Sequence, residues 1–348
     1  MHSRHFLITV LACTLAVPTV AGAATPNSGD PANPFNYNVF TIGDDTQSNV
    51  DDQGKVAVGG NLTSSGLAIG TSRSGGSAAN LVVGGNYTNR YNTLNGSAVI
   101  GGNANWNGAT INGNLSANGS VNFSGYGQIT GNVSYGTSYT NPTTTVQGSV
   151  SHGTTTLPIN FSSAATYLND TSLAYSKIAA TGSTVNSYGS ITLNSGNTGK
   201  ALNVFNVSGA MLGSANGLTI NADPNATVLI NIDGTADQMQ NFGININGTD
   251  KQHVLYNFYQ ASSLNLSGIG VEGTILAPSA ATNFSNGHIN GSLLVNSLSG
   301  GGEGHDYLFK GSISPTPEAS TVLSMVLLLA GGLFFGARKR KSGATMAA

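Results

Sequence analysis

Apolar residues fall in short runs and alternations that meet turn residues at near-regular intervals. Val56-Ala57-Val58, Leu81-Val82-Val83 and Ala98-Val99-Ile100 each run into Gly-Gly-Asn, at Gly59-Gly60-Asn61, Gly84-Gly85-Asn86 and Gly101-Gly102-Asn103. Weaker copies stand at Gly113-Asn114, Gly131-Asn132 and Gly148-Ser149. Gly85 and Gly102 are 17 residues apart, Gly113 and Gly131 are 18 apart, and Gly131 and Gly148 are 17 apart; spacings of 25 and 11 interrupt the series. A strand followed by Gly-Gly or Gly-Asn reads as a strand meeting a turn that needs positive φ. The far end repeats the unit, because residues 271–277 (VEGTILA) match residues 289–295 (INGSLLV) at an offset of 18. A period of this length predicts one coil of a parallel β-solenoid per repeat. The expected fold is therefore mainly β: a right-handed parallel β-solenoid (β-helix) with one flanking α-helix and a C-terminal transmembrane segment.

The helix is predicted from residues 160–180, where Phe161, Ala165, Leu168, Ser172, Tyr175 and Ala179 recur at three- and four-residue spacing. Ser162 or Ser163 would cap its start and Gly182 follows its end. Its apolar stripe has to be buried, so it should lie along the side of the solenoid. Further short strands are expected at 190–193, 202–207, 218–220, 227–232 and 254–258, with Asp223-Pro224-Asn225 and Asp233-Gly234 as turns.

Composition supports this and removes other classes. Charged residues make up 7% of the 348 residues, and Gly contributes 48. Coiled coils, charged disordered tails and collagen do not have this composition. Nucleic-acid binding needs clustered Lys and Arg, which the central part of the chain lacks. Between residues 25 and 314 there are 7 Lys or Arg and 13 Asp or Glu.

Both ends carry signals. A basic start, an apolar run from Phe6 to about Val20 and small residues at Ala21, Ala23 and Ala24 predict a signal peptide over residues 1–24, cut after Ala23 or Ala24. Cys13, the single cysteine, lies inside it, so the mature chain would carry no disulfide. At the other end, the apolar run 322–337 is followed by Arg338, Lys339, Arg340 and Lys341 and preceded by Pro317, Glu318 and Ala319. Sixteen apolar residues are slightly short for a comfortable span, and the cations would stay on the cytoplasmic side. This short motif, marginal span and basic cluster over residues 315–341 resemble the PEP-CTERM sorting signals of Gram-negative bacteria. The resemblance implies processing by an exosortase-type membrane enzyme after export by the secretion machinery. Ala319 stands where the usual motif has its second proline, and residues 342–348 extend beyond the basic cluster.

The body resembles a second family. Tyr37-Asn38-Val39-Phe40, Gly43-Asp44, Gln47-Ser48 and the GKVAVGGN segment at 54–61 are similar to the opening of the choice-of-anchor A domain. Residues 202–205 (LNVF), 227–234 (TVLINIDG), 256–258 (YNF), 273–278 (GTILAP), Asn290-Gly291 and 302–305 (GEGH) continue it in order, so that it covers residues 34–314. The resemblance implies an adhesive domain that occurs with different C-terminal anchors. The GTILAP and INGSLLV stretches also resemble bacterial ice-binding β-solenoids, which carry a helix beside the coil.

Two clusters could carry chemistry. Asp44, Asp45, Asp51 and Asp52 could supply hard oxygen ligands to Ca²⁺, although they lack EF-hand spacing and read more simply as solvated caps. Glu303, His305 and Asp306 combine acids with an imidazole, but no further His or Cys supports a metal or acid–base role, so structural hydrogen bonding is the expectation. Thr137, Tyr139, Thr143, Thr144 and Thr145 form the densest run of hydroxyls. No catalytic residues and no cofactor are expected. The sequence reads as an exported, non-enzymatic adhesin or matrix component of the Gram-negative cell surface, with an extracellular polysaccharide or matrix polymer as partner and a membrane-anchored precursor. An ice-binding protein is the first alternative, against which the irregular 25- and 11-residue spacings count. A polysaccharide-cleaving β-helix is the second, and it would need carboxylates clustered with cations.

Overall fold

The computed structural model describes Asp30 and residues 32–314. The expected signal peptide with Ala21, Ala23 and Ala24, the Pro317-Glu318-Ala319 motif, the apolar run 322–337 and the basic cluster Arg338 to Lys341 lie outside the described residues. Among the described residues no helix is long and apolar enough to cross a membrane.

Parallel strands join into a 27-stranded sheet wound into coils with three faces. One face is covered by the long helix, a second is open to solvent, and a third continues into a four-stranded sheet. The order of the coils differs from their order in the chain. Strand Val39–Thr41, the first of the fold, pairs on one side with Val56–Val58 and on the other with the last long strand, Leu293–Gly300. The chain therefore starts in the middle of the solenoid. It builds one stack outward to Val150–His152 and returns along the side as the helix Phe161–Ser176. It then builds a second stack inward from Leu202–Ser208 until Leu293–Gly300 closes on the first strand. Parallel pairing makes this junction as continuous in hydrogen bonding as any other step.

The period follows from the register. Val39, Val56, Leu81, Ala98, Leu115, Val133 and Val150 succeed one another at one core position of the first stack. The long step from Val56 to Leu81 is a full coil plus a loop around residues 70–78, extruded at one corner. The 11-residue step from Gly102 to Gly113 is not a coil. Gly60, Gly85, Gly102 and Gly119 stack at one corner through backbone hydrogen bonds, whereas Gly113, Gly131 and Gly148 stack at another. In the second stack Val271 pairs with Ile289 and Ile275 with Leu293, the 18-residue offset of the sequence.

The Gly-Gly-Asn corners differ from expectation in one respect. None of Gly59, Gly60, Gly84, Gly85, Gly101 or Gly102 has positive φ. Glycine is needed there because of close approach: a Cβ on Gly84 would overlap the Gly59 carbonyl oxygen and stand 3.2 Å from Phe161 of the helix. The asparagine after each pair ties coil to coil. Asn61 Oδ1 accepts from the Asn86 backbone N–H at 2.9 Å, Asn86 Oδ1 from Asn103 at 2.8 Å, and Asn103 Oδ1 from Ser120 at 2.8 Å. Each such bond satisfies a corner amide that has no sheet partner.

Helix Phe161–Ser176 begins four residues after Leu157 and ends before Lys177; its cap is Asn160, whose side chain accepts from the Ser163 N–H, so neither Ser162 nor Ser163 is the cap. Ala164, Leu168, Ser172 and Tyr175 are buried on its inner side. Ala164, Leu168 and Tyr175 share one core cluster with Leu229, Leu255, Leu276 and Leu294 of the second stack and Phe40, Ala57 and Val82 of the first, and Phe161 at the helix start meets the Phe40 ring at 5.7 Å. The helix thus bridges the junction. Where it covers the sheet both faces of a strand are buried, which is why residues 227–232 of strand Thr227–Asp233 are a continuous buried run rather than an alternation.

Candidate functional site

The open face is built by alternation. In Asp45–Asp52, Leu62–Ile69, Tyr87–Arg90 and Ala104–Asn107, the inward residues include Asp45, Gln47, Leu62, Ser64, Tyr87, Asn89, Ala104 and Trp106, and the residues between them point out. Tyr87 and Trp106 meet edge to face at 5.0 Å beneath this surface, which makes its floor stiff. The outward residues form a register column through both stacks. Gln238, Asn265, Asn283, Ser299, Thr46, Thr63, Thr88, Asn105, Asn122 and Thr140 follow one another, coil by coil, across the junction. At the usual strand spacing of about 4.8 Å these ten side chains extend over roughly 43 Å. Beside them run Ser48, Ser65, Arg90 and Asn107 on one side and the corner asparagines on the other. A shallow groove of about 560 Å³ lies between these columns, lined among others by Thr63, Thr88, Asn105 and Asn107.

Chemically this is a grid of hydroxyls and amides with few charges. Its members also bond to one another: Asn122 Nδ2 donates to Asn105 Oδ1 at 2.9 Å and Asn283 Nδ2 to the Ser299 hydroxyl at 3.3 Å. Such bonds fix side-chain direction and lower the entropy lost on binding. Each amide retains groups free for a neutral, hydroxyl-rich partner.

The sequence-derived clusters resolve differently. Asp44 lies at a corner, where its carboxylate accepts from the Asn61 N–H at 2.7 Å, and Asp51 accepts from the Thr71 hydroxyl at 3.0 Å. Asp45 and Asp52 are in the interior, 1% and 0% exposed. The four carboxylates therefore divide between inside and outside because a strand alternates, and they form no common ligand set. Among the described residues no three His, Cys, Asp or Glu side chains converge in a way that could hold a metal. Gln47 Nε2 donates to Asp45 at 3.0 Å and to Asp52 at 3.3 Å. Burial pushes the Asp45 carboxyl up to about 7. Burial, with the charge of Asp45 next, holds Asp52 well above the usual carboxylate range.

Of Glu303, His305 and Asp306, the first two stay together, with His305 Nε2 3.6 Å from a Glu303 carboxylate oxygen, while Asp306 pairs elsewhere. Asp306 pairs with Arg73 of the extruded loop at 2.7 Å, while His305 bonds Asn290 at 2.8 Å and stacks on His288 at 4.8 Å. The Asp306–Arg73 pair ties the last coil to the first stack, and the His305 contacts hold the last coils of the second stack to each other. Thr143 and Thr144 donate to the Gly125 carbonyl, and Tyr139 stacks on Tyr135 at 5.6 Å, so the hydroxyl-rich run around Thr137 and Thr145 is the end of a stack rather than its broad face. The open-face column was not singled out from the sequence, although its signal is there. Thr63, Thr88 and Asn105 each stand two positions after a corner asparagine.

The family model described as "Putative Ice-binding-like adhesive domain" matches residues 33–119 and 107–306. The comparison with curated proteins finds no match. Among solved structures, an ice binding protein from an Antarctic bacterium, Flavobacteriaceae, is 12% identical over 80% of this chain and 97% of its own, with a TM-score of 0.27. That superposition is too loose to transfer any residue. The family match spans nearly all of the described residues, and the chain belongs to the ice-binding-like adhesive domain family.

Proposed function

We propose that this protein is an exported, non-enzymatic adhesin of the bacterial surface or matrix whose open face binds an uncharged, hydroxyl-rich polymer such as an extracellular polysaccharide. The observation that carries this reading is the ten-residue column of outward hydroxyls and amides running unbroken across both stacks. A polymer with hydroxyls at regular intervals can engage many such groups at once, and weak contacts then add through effective concentration. Replacing Thr63 and Thr88 together by Glu places two like charges on one column without touching the core. Retention of the protein on extracellular polysaccharide should fall at least tenfold; retention equal to the parent would remove the open face from the reading.

Ice binding is the second reading, and the regularity of the same face favours it. The interruptions of 25 and 11 residues leave this face flat, because one is a corner loop and the other a change of corner. Thr46, Thr63 and Thr88 stand in register, but amides replace threonine at Asn105 and Asn122. Thermal hysteresis should therefore be absent, and hysteresis that disappears in the Thr63, Thr88 double variant would reverse the order of the two readings.

The chain's ends complete the proposal. The choice-of-anchor A resemblance and the PEP-CTERM-like tail support export followed by exosortase-dependent sorting, with the segment 322–337 holding the precursor in the inner membrane. Deleting residues 317–341 should release or misplace the protein, as read by fractionation and surface labelling. Undiminished surface display would refute the sorting role.

A further inference from the structure

The two ends of the solenoid are finished differently. At one end the short helix Gly209–Gly213 packs on strands Leu202–Ser208 and Ala236–Gln240, and Gln238 Nε2 donates to the Gly213 carbonyl at 3.0 Å. The hairpin of Ser183–Ser187 and Ser190–Asn194 folds against the same strand, with the Thr184 hydroxyl donating to the Asn206 carbonyl at 2.9 Å. At the other end, strands Tyr139–Thr140, Thr144–Val146 and Val150–His152 each pair with the coil before them and, among the described residues, with nothing beyond. All three faces end there in a bare edge.

Two features make this edge unusual. The last layer of the core is incompletely covered: Val150 is 41% exposed, and Tyr139 and Val146 are half-buried. Charge is also missing. Residues 91–169 contain no Asp, Glu, Lys or Arg, so no charged side chain of the strands themselves guards the edge. Exposed edges are ordinarily blocked by Lys, by proline on the strand, by a bulge or by a covering element. Pro142 lies in a bend between strands and leaves the edge strands themselves unblocked. Solenoids normally require a cap at each terminus.

We propose that this edge is an interface with a second copy of the same chain, joined head to head. A fitting partner must offer extended backbone on three sides of a coil, an apolar centre and no charge. The same end of another copy offers all three. Head-to-tail stacking would need the opposite end free, and the short helix and the hairpin occupy it. The contact therefore closes as a two-fold pair, in which one patch meets itself. Across the axis Val150–His152 runs antiparallel to its counterpart, and Tyr139–Thr140 faces Thr144–Val146 of the second copy. In the joined molecule the open face of each copy meets the third face of the other at the seam, so neither open face is covered and the pairing does not depend on what that surface binds.

The test uses the full chain in mild detergent, with Cys13→Ser to leave no native thiol. Light scattering should give the mass of two chains at micromolar concentration. Ser151→Cys, at the middle of the edge strand and so beside the axis, should form a covalent dimer on mild oxidation. Val150→Lys should raise the dimer dissociation constant at least 100-fold while circular dichroism remains that of the parent. If Val150→Lys fails to fold, Thr145→Lys, on an exposed position of the neighbouring edge strand, gives the same readout. A monomer throughout with no cross-link overturns the proposal, as does a dimer that survives the edge lysine.

Discussion

Asp45→Asn should raise the stability of the protein at pH 8 and leave it nearly unchanged at pH 4. Asp45 and Asp52 are buried in the interior of the junction coil, and among the described residues no cation pairs with either. Asp45 Oδ1 has no hydrogen-bond partner, and the Gln47 amide serves its other oxygen and one oxygen of Asp52. An ionised carboxylate there has lost its water without compensation. The folded-state value for Asp45, about 7, is raised above its ordinary 3.8. Below pH 4 the group is protonated in both states and contributes nothing. As pH rises from about 4 to 7, the unfolded chain releases the proton while the folded chain retains it, so stability falls and then levels off. A displacement of about three pH units corresponds to about 4 kcal/mol, and the contribution of Asp52 has the same sign. Asn keeps the size of the side chain and an acceptor for Gln47 while removing the titration. Urea or thermal unfolding between pH 4 and 9 should show the parent losing stability with pH and Asp45→Asn losing less, the remaining loss coming from Asp52. A parent whose stability is flat or rising across that range would contradict the account.

The second large effect is expected at Asn257. This fully buried residue lies under the helix, where Nδ2 donates to the Ser172 carbonyl at 2.9 Å and to Asn231 Oδ1 at 2.9 Å. Its Oδ1 accepts from the Ser172 hydroxyl at 2.6 Å. Asn231 Nδ2 continues the chain to the Tyr175 carbonyl at 3.0 Å. Asn257→Ala removes one member and strands a buried hydroxyl and an amide oxygen, at about 1–3 kcal/mol each. A total loss of about 3–5 kcal/mol is expected, measured by urea unfolding, with faster hydrogen exchange in residues 161–176. Loss of stability without loosening of the helix would mean that these bonds serve the coil alone. Because the helix also packs on Phe40, Ala57 and Val82 of the first stack, weakening it should loosen the junction as well.

Much of this fold was legible in the sequence, and its limits have definite causes. The coil period was readable from Gly-Gly-Asn because each corner passes under the backbone of the preceding one, and only glycine fits. The reason inferred for those glycines, positive φ, was incorrect, since close approach and φ leave the same residue in the sequence. The helix was readable from its stripe, but its cap was misplaced by two or three residues because Asn160, Ser162 and Ser163 can all accept from a helix N–H. The aspartates read as one cluster, whereas the alternation of strand Asp45–Asp52 turns Asp45 and Asp52 inward.

The sequence by itself determined that the chain coils, roughly how long each coil is, and that an amphipathic helix must lie alongside, because these follow from local steric and hydrophobic patterns. Only the tertiary structure decided where each coil sits. Parallel strands pair through backbone groups common to all residues, so nothing local shows that Val39–Thr41 is flanked by both Val56–Val58 and Leu293–Gly300. That closure brings Ser299 beside Thr46 and joins two half-columns of hydroxyls and amides into one face. The open face and the bare edge are both products of stacking order, which residues hundreds of positions apart establish together.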